Sequence, residues 1–469
     1  MAAQTFTPLT WKSETGPDRR KLYRRRARRS DLLVTVLWGS GAAAAALFLS
    51  VGGAAQFGSA SDVITSLGII AGLIGSDFIL VMLVLAARVP FIDRTIGHDQ
   101  AMAVHRQLGK PALYLLLGHG ALLLIGYGMS TGFNLVAWVV DMWELPDMPL
   151  GFIGLGLLVA VVVTSLVAVR RRFSYEAWHL VHLLSYFAVA FAIPHQFSNG
   201  AVLSTGTPQR VYWIALYVFA FGSILVYRFF EPVISSLRHD LRVDRVQVEA
   251  PGVVSIHLRG HDLARLGSAG GQFFVWRFWT GSTWWHSHPI SLSAAPTATT
   301  ARITVRDMGK GSADISSVPR GTRVWIEGPY GIFTDAARTA PKMAIVAAGI
   351  GITPVRALLE SSRLAPGEAT VVLRASSDDE AYLWDEVSEL AERKGAILYT
   401  MLGKRASRSA SWMPERDQIR GVTLLSAFPD LLDSDLYICG PSAWLDIVEA
   451  EARAAGIAAH QLHTERFDW

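Results

Sequence analysis

Residues 211–248 read VYWIALYVFA FGSILVYRFF EPVISSLRHD LRVDRVQV. The first part, Val211–Phe230, carries a single charge, Arg228, and reaches the ~20 residues that an α-helix needs to cross the hydrocarbon core of a bilayer. From Arg242 the pattern becomes the apolar/polar alternation of a half-buried strand. The boundary near residue 231 therefore separates a membrane half from a soluble half. Upstream, five more segments meet the same length criterion: Leu32–Val51, Val63–Ala87, Val104–Tyr127, Leu150–Val169 and Trp178–Phe197. The first of them, behind a long basic leader, is too extended for a cleaved signal peptide.

Composition agrees. Of 469 residues, 51% are hydrophobic and only 17% charged, against about 25% charged in soluble domains, which excludes a wholly soluble protein. The single cysteine, Cys439, excludes an intramolecular disulfide, a four-cysteine iron–sulfur cluster and a cysteine-based zinc site within this chain. The leader concentrates positive charge in Arg19, Arg20, Lys21, Arg24, Arg25, Arg26, Arg28 and Arg29. A run of this kind just before a span reads as a topology determinant facing anionic lipid, and no nucleic-acid partner is expected. Residues 52–62, 130–149 and 198–209 contain no Lys or Arg, whereas the leader, Arg88–Arg94, Arg170–Arg172 and the stretch with Arg228, Arg238 and Arg242 are basic. The positive-inside rule then places both termini and the soluble half in the cytoplasm, in a multi-pass protein of the plasma membrane.

Downstream, the stretches Arg242–Val248, Val253–Leu258, Gln272–Phe278, Arg302–Val305 and Arg323–Ile326 alternate with Gly/Ser/Thr turns, as in an antiparallel barrel or sandwich. From Lys342 apolar strands alternate with helical patterns, among them Met343–Ala348 before Pro354–Ser362 and Leu436–Cys439 before Ala443–Ala455. Such alternation predicts a parallel sheet with crossover helices. The expected organisation is a basic N-terminus (1–31), a six-span domain (32–230), a β-barrel domain (239–337) and an α/β nucleotide-binding domain (338–469).

Histidine is disfavoured in hydrocarbon and needs a partner there. The third span carries His105 and His119; the fifth carries His179, His182 and His195. Fourteen residues put His105 and His119 about 21 Å apart along a helix, within about 40° of one face. Two neighbouring helices can thus clamp two b-type haems at two depths, His105 with His182 and His119 with His195, since imidazole suits axial haem iron. The thirteen-residue spacing of His182 and His195 leaves them near 220° apart on an ideal helix, a misfit that Pro194 can relieve by a local irregularity. The alternative is that these are hydrogen-bonded helix-interface histidines. Asp77, deep in the second span, reads equally as a functional acid and as a protonated group bonded to a neighbouring helix.

The soluble half carries Gly270-Gly271-Gln272-Phe273, His288-Pro289-Ile290-Ser291-Leu292-Ser293, Gly309-Lys310-Gly311-Ser312, Gly328-Pro329-Tyr330-Gly331, Gly349-Ile350-Gly351-Ile352-Thr353-Pro354 and Cys439-Gly440-Pro441 in that order. Glycines at a strand-to-helix turn let backbone amides approach a pyrophosphate at the helix N-terminus. In this order and spacing the set resembles the ferredoxin–NADP reductase superfamily. With the membrane histidines, residues 32–469 resemble the ferric reductase / NADPH oxidase family of transmembrane flavocytochromes.

That resemblance implies FAD beside Gln272 and the segment His288, Pro289, Ile290, Ser291 and Ser293, with Ser291 near the reactive flavin nitrogen. It implies Arg306, Gly309 and Ser312 at the diphosphate, and Gly349, Gly351, Thr353 and Pro354 at the nicotinamide nucleotide. It also puts Cys439 and Gly440 near the nicotinamide ring, and a C-terminal aromatic, Phe467 or Trp469, over the flavin. Structural readings stand beside these: Ser293 as a turn cap, Tyr330 as barrel packing, Cys439 as a small buried hydrophobe. Arg374 and Ser376 can bind a ribose 2′-phosphate, with Lys404 and Arg405 as further candidates, which favours NADPH over NADH; the same residues also read as solvated surface charges.

The implied reaction moves electrons from NADPH through FAD and two haems to an extracytoplasmic acceptor. A ferric chelate is placed ahead of dioxygen, although the Trp-rich loop Thr131–Pro149 holds no evident iron-chelating cluster. Arg106, Lys110 and Arg210 are candidate partners of haem propionates. A membrane-anchored flavin reductase serving a cytosolic partner and a haem-carrying scaffold are the alternatives.

Overall fold

The computed structural model describes residues 19–131, 134–170, 172–173, 175–281, 285–405 and 411–467. Asp468 and Trp469, and the leader before Arg19, lie outside them. Two compact units divide the chain near Glu231.

The membrane unit is helical throughout. Its helices are α1 (Arg19–Ser50), α2 (Ala60–Ala86), α3 (Pro90–Ile96), α4 (His98–Thr131), α5 (Leu135–Glu144), α6 (Met148–Ser165), α7 (Val167–Arg170), α8 (Tyr175–Ser198) and α9 (Pro208–Ile224). Six of these are long and apolar enough to cross a membrane, and the last runs through a π-helical turn at Leu225–Phe230 into α10 (Glu231–His239). The basic run is not a separate tail: α1 begins at Arg19, since Arg, Lys and Leu are good helix formers. The Trp-rich loop contains α5, capped by the Asn134 side chain accepting from the Ala137 amide at 3.2 Å. α2 packs along α4 and α6 along α8. Gly68 and Gly75 on α2 sit directly against leucines of α4, where an added Cβ would meet Leu122 at 3.1 Å and Leu116 at 3.0 Å. Small residues at a helix interface permit that approach in lipid.

The soluble unit opens with β1 (Leu241–Ala250), β2 (Val253–Arg259), β3 (Phe273–Phe278), β4 (His288–Ser291), β5 (Thr300–Arg306), helix α11 (Lys310–Ser316) and β6 (Arg323–Tyr330). These strands form one antiparallel sheet in the order β4-β3-β6-β1-β2-β5. A bridge between Leu292 and Ile303 joins its two edge strands, and closure removes the edges. The barrel is filled by Leu241, Ile256, Phe274, Trp276, Ile303 and Ile326.

Five parallel strands follow: β7 (Lys342–Ala348), β8 (Ala369–Ala375), β9 (Ile397–Leu402), β10 (Ser434–Gly440) and β11 (Leu462–Arg466), in the order β11-β10-β7-β8-β9. The helices are α12 (Ile352–Ser361), α13 (Trp384–Lys394), the short α14 (Glu415–Ile419) and α15 (Leu424–Ala427), and α16 (Ser442–Ala454). Strand order reverses between β7 and β10, so the crevice at their carboxyl ends is the place where this architecture binds ligands.

Barrel and sheet are tied by an ionic clamp. Glu386 on α13 accepts from both Arg302 nitrogens (2.8 and 2.9 Å) on β5 and from Arg356 Nε (2.7 Å) on α12. Glu360 in turn accepts the Ala295 amide at 2.6 Å. Burial pushes the Glu386 carboxyl up, but its bonds to Arg302 and Arg356 outweigh that and hold it below the usual carboxylate range.

Candidate functional site

The α4 histidines are held by the backbone of α2. His119 Nδ1 lies 2.8 Å from the Gly68 carbonyl and His105 Nδ1 lies 3.1 Å from the Met82 carbonyl. A carbonyl only accepts, so each Nδ1 carries the hydrogen and Nε2 keeps the lone pair that a metal takes. Gly72 makes room for this: a Cβ there would fall 2.4 Å from His119 Nδ1.

Across from α4, α8 presents the other two. The His105 and His182 rings approach one another with centroids 6.3 Å apart and planes inclined at 57°. Two imidazoles on one metal, each bonded at about 2 Å, have centroids separated by roughly 6 Å once the ring radii are added, so this pair fits axial ligation of one iron. Trp178 stacks on His182 at 5.1 Å, and Ser165 Oγ lies 3.4 Å from His182 Nδ1. His195 is the electrostatic neighbour of His119; its Nδ1 is buried without a partner, against Gly151, where a Cβ would come within 2.9 Å. Pro194 lies inside the unbroken helix α8, so α8 accommodates the proline without breaking. Among the described residues no group of three or more His, Cys, Asp or Glu converges.

In the soluble unit the crevice at the ends of β7 and β10 is built on close backbone approach. A Cβ at Gly351 would fall 2.3 Å from the Cys439 carbonyl oxygen and 2.7 Å from the Gly440 nitrogen. Gly349 has φ +54°, a region that favours glycine, and a Cβ there would lie 3.8 Å from Arg306 and 4.0 Å from the Tyr382 hydroxyl. Arg306 pairs with Glu380 at 3.1 Å. Thr353 and Pro354 are buried in the first turn of α12, with Thr353 Oγ1 donating to the Ile350 carbonyl at 3.0 Å.

The structure brings His288 to Gly311 in the turn that begins α11, 3.3 Å from its would-be Cβ. Burial, with His286 adding to it, lowers the His288 imidazole to about 4, so the ring is neutral at neutral pH. His288 Nε2 and Ser291 Oγ are buried polar atoms without partners, and Ser291 is almost wholly enclosed. They stand three residues apart on β4, so one unmatched polar group lies on each face of the strand. Pro289 and Ile290 complete β4, half-buried against β3.

Other candidates have their polar atoms committed within the protein. Gln272 accepts from the Ala269 amide (2.8 Å) and donates to the Gly331 carbonyl (3.0 Å), tying two glycine loops together. Ser293 Oγ accepts from Arg302 (3.1 Å) and Thr304 (2.8 Å). Ser312 Oγ accepts the Met308 amide at 2.7 Å, and the Gly309 amide donates to Asp307 at 3.1 Å. Tyr330 packs on Phe273 and donates to Glu327 at 3.0 Å. Cys439 has no exposed surface, and burial pushes its thiol well above the usual range. That is the small-hydrophobe environment, which reaches a ligand only if neighbours move. Gly440 lies against Trp444 and Ala348, and Phe467 packs beside the cluster that contains Cys439.

Arg374 and Ser376 come together at the end of β8: Nη1 donates to Ser376 Oγ at 2.9 Å and Nη2 to the Gly403 carbonyl at 3.0 Å, while the buried Nε has no partner. Lys404 and Arg405 are exposed beside them.

Residues 71–193 match the family described as ferric reductase like transmembrane component, and residues 345–450 match the oxidoreductase NAD-binding domain. The chain joins a ferric reductase-like membrane component to an NAD-binding oxidoreductase module. It is similar to the stachydrine N-demethylase reductase subunit Stc4 of Rhizobium meliloti (strain 1021), 25% identical over 47% of this chain and 64% of that protein. It is also similar to the probable metalloreductase AIM14 of Eremothecium gossypii, 28% identical over 25% of this chain and 22% of that protein. Among solved structures, the flavohem-like FAD/NAD binding domain of nitric oxide dioxygenase from Vibrio cholerae aligns with a TM-score of 0.39 and 23% identity, over 49% of this chain and 99% of that one. The chain spans less than two thirds of the length of Stc4.

Sequence reasoning missed several groups in the ferric reductase-like component and its module. The carbonyls of Met82 and Gly68 leave no side-chain signal. Gly72 and Gly151 sit in apolar runs and read simply as small residues of a span. Tyr382, whose hydroxyl is buried beside Arg306 and whose burial raises it to about 12, belongs to none of the sequence motifs. Its proximity to Gly349 and Arg306 is a tertiary fact.

Proposed function

We propose that this protein carries electrons across the plasma membrane, from cytoplasmic NADPH through FAD and two b-type haems to an extracytoplasmic ferric chelate. The observation that carries the reading is the pair His105 and His182, centroids 6.3 Å apart, with a backbone carbonyl fixing the His105 tautomer. When bound, FAD exchanges a hydride with the nicotinamide and single electrons with haem iron, which is the cofactors' own chemistry. The chain supplies position and electrostatics. His105 and His182 hold one iron and His119 and His195 the other, at two depths, so charge crosses hydrocarbon without an ion entering it. Ser291 and His288 offer unpaired polar atoms to the flavin. The amide-rich turn Gly349–Gly351 and the N-terminus of α12 receive the nucleotide phosphates. Arg374 and Ser376 select the 2′-phosphate, because a guanidinium matches phosphate geometry. The ferric acceptor is supported by the similarity to a probable metalloreductase, and the inward orientation by the loop charges.

A reduced-minus-oxidised optical spectrum of the purified protein tests this. A b-type signal is expected, together with NADPH-driven reduction of a ferric chelate in vesicles. Absence of the signal, or its persistence at full haem content when His119→Ala and His195→Ala are combined, refutes the assignment. A superoxide-dismutase-sensitive readout in the same vesicles, with no ferrous product, replaces the ferric acceptor by dioxygen.

A further inference from the structure

One buried acid has no part in the scheme above. Asp77 on α2 is 1% exposed; Ser40 Oγ on α1 donates to its Oδ1 at 2.5 Å, and its Oδ2 is buried without a partner. Along α2 it stands five residues from Gly72 and five from Met82, about 7.5 Å along the helix axis from the level of each. It therefore lies between the levels at which α2 meets His119, at Gly68 and Gly72, and His105, at Met82. Gly75 faces α4, and two residues further Asp77 is turned about 200° away, toward α1 and α9. The groups that meet it are the Ser40 hydroxyl and Gly41 from α1 and the Tyr212 phenol from α9. The titratable groups of α4 in this region, His105 and His119, lie on the other side of α2.

A carboxyl enclosed in hydrocarbon, with one oxygen satisfied and the other bare, costs little when protonated and much when ionised. Its charge state is therefore sensitive to any other charge at that depth. We propose that Asp77 is a proton-binding site between the two histidine levels, loaded when an electron arrives there and unloaded when it leaves. The inference rests on the two-haem reading. In the loading step one electron reduces ferric to ferrous iron, and one proton from water forms the Oδ2–H bond of Asp77. On reoxidation the electron goes to the acceptor, that bond breaks, and the proton returns to water. Net charge inside the membrane is unchanged in each step.

The test uses purified, haem-loaded protein reduced with dithionite. Its infrared difference spectrum is expected to show a carboxyl C=O band that shifts in D2O and is absent in Asp77→Asn. The wild-type haem potentials should fall with rising pH, with a slope approaching about 59 mV per pH unit, the one-electron equivalent of a tenfold change in K; Asp77→Asn should flatten that slope. Ser40→Ala should move the band without removing it, and it serves in place of Asp77→Asn if the latter loses haem. A band unchanged in Asp77→Asn, or wild-type potentials independent of pH, overturns the proton site while the haem reading stands. A wild-type protein without haem overturns the haem reading, and the coupling with it.

Discussion

Replacing Gly351 by Ala gives a perturbation whose sign is decided by one contact. Gly351 has φ −60° and ψ −11° at the start of α12, a conformation in which alanine is unstrained. On propensity alone Gly→Ala there stabilises by about 0.4–1 kcal/mol, through the unfolded chain. Against this, the new Cβ falls 2.3 Å from the Cys439 carbonyl oxygen and 2.7 Å from the Gly440 nitrogen, where ordinary contact begins at 3.4 Å. Both neighbours are backbone of β10, which is hydrogen-bonded to β7 from Ser434 to Cys439, so no rotamer can yield. The turn and β10 must part by about 1 Å, and overpacking of this kind costs about 1–3 kcal/mol. The net result is destabilisation of up to about 2.6 kcal/mol, or as much as roughly 10 °C in Tm for a unit of this size. Misplacement on the ångström scale at the phosphate turn also costs up to about 100-fold in productive geometry, seen as a raised KM for NADPH. Thermal unfolding followed by flavin fluorescence, with NADPH titration of diaphorase activity, measures both. A Tm equal to or above wild type with an unchanged KM refutes the close approach and the crevice built on it.

Gly72→Ala should displace His119, because its methyl falls 2.4 Å from Nδ1, and should remove or shift one of the two b-type signals. Gly118→Ala, with nothing within 4 Å of the new Cβ, should leave both intact. Glu386→Gln should destabilise the soluble unit by about 2 kcal/mol, toward the low end for charged hydrogen bonds because the carboxylate is partly exposed. The folded-state carboxyl of Glu386 sits below its ordinary value of 4.5, so this stability is fully present above that pH and disappears as pH falls through the lower folded value. Paired melts should therefore differ at pH 7 and converge in acid. Arg374→Ala should raise KM for NADPH about 10- to 100-fold, the equivalent of one charged hydrogen-bonding group, and leave KM for NADH unchanged; equal effects on both refute selection of the 2′-phosphate.

The six spans were legible because hydrocarbon admits few alternatives: some twenty predominantly apolar residues in a row are most simply satisfied there as a helix. β4 was read only as a motif, since Pro289 interrupts its strand pattern, yet it pairs with β3 from His288 to Ser291. β9 and β11 also escaped. They are the two edges of the parallel sheet. β11, Leu462-His463-Thr464-Glu465-Arg466, shows no apolar run of a buried strand, whereas β9 is apolar in sequence although it exposes most of its side chains. In the candidate site, residue type and order pointed to a neighbourhood and not to a role. Ser291 and Ser293 stand two apart in one motif; the first hydroxyl is buried and unpaired, the second is spent on Arg302 and Thr304. That difference comes from β5, whose Arg302 and Thr304 reach Ser293 and not Ser291.

The two halves place their key groups by the same physical means. In the membrane unit a glycine at position 72 lets an imidazole rest against α2 and reach the Gly68 carbonyl. In the soluble unit a glycine at position 351 lets a helix start lie against the backbone of β10. A main-chain group held in secondary structure has no rotamer freedom to lose, so contact with it fixes orientation at little entropic cost. A side-chain network of equal precision would have to order several long residues, as the Arg302–Glu386–Arg356 clamp does. This accounts for the division of labour. Side chains carry the load where only adhesion between barrel and sheet is required. Backbone approached through glycine is used where an imidazole or the start of a helix has to be held in one orientation.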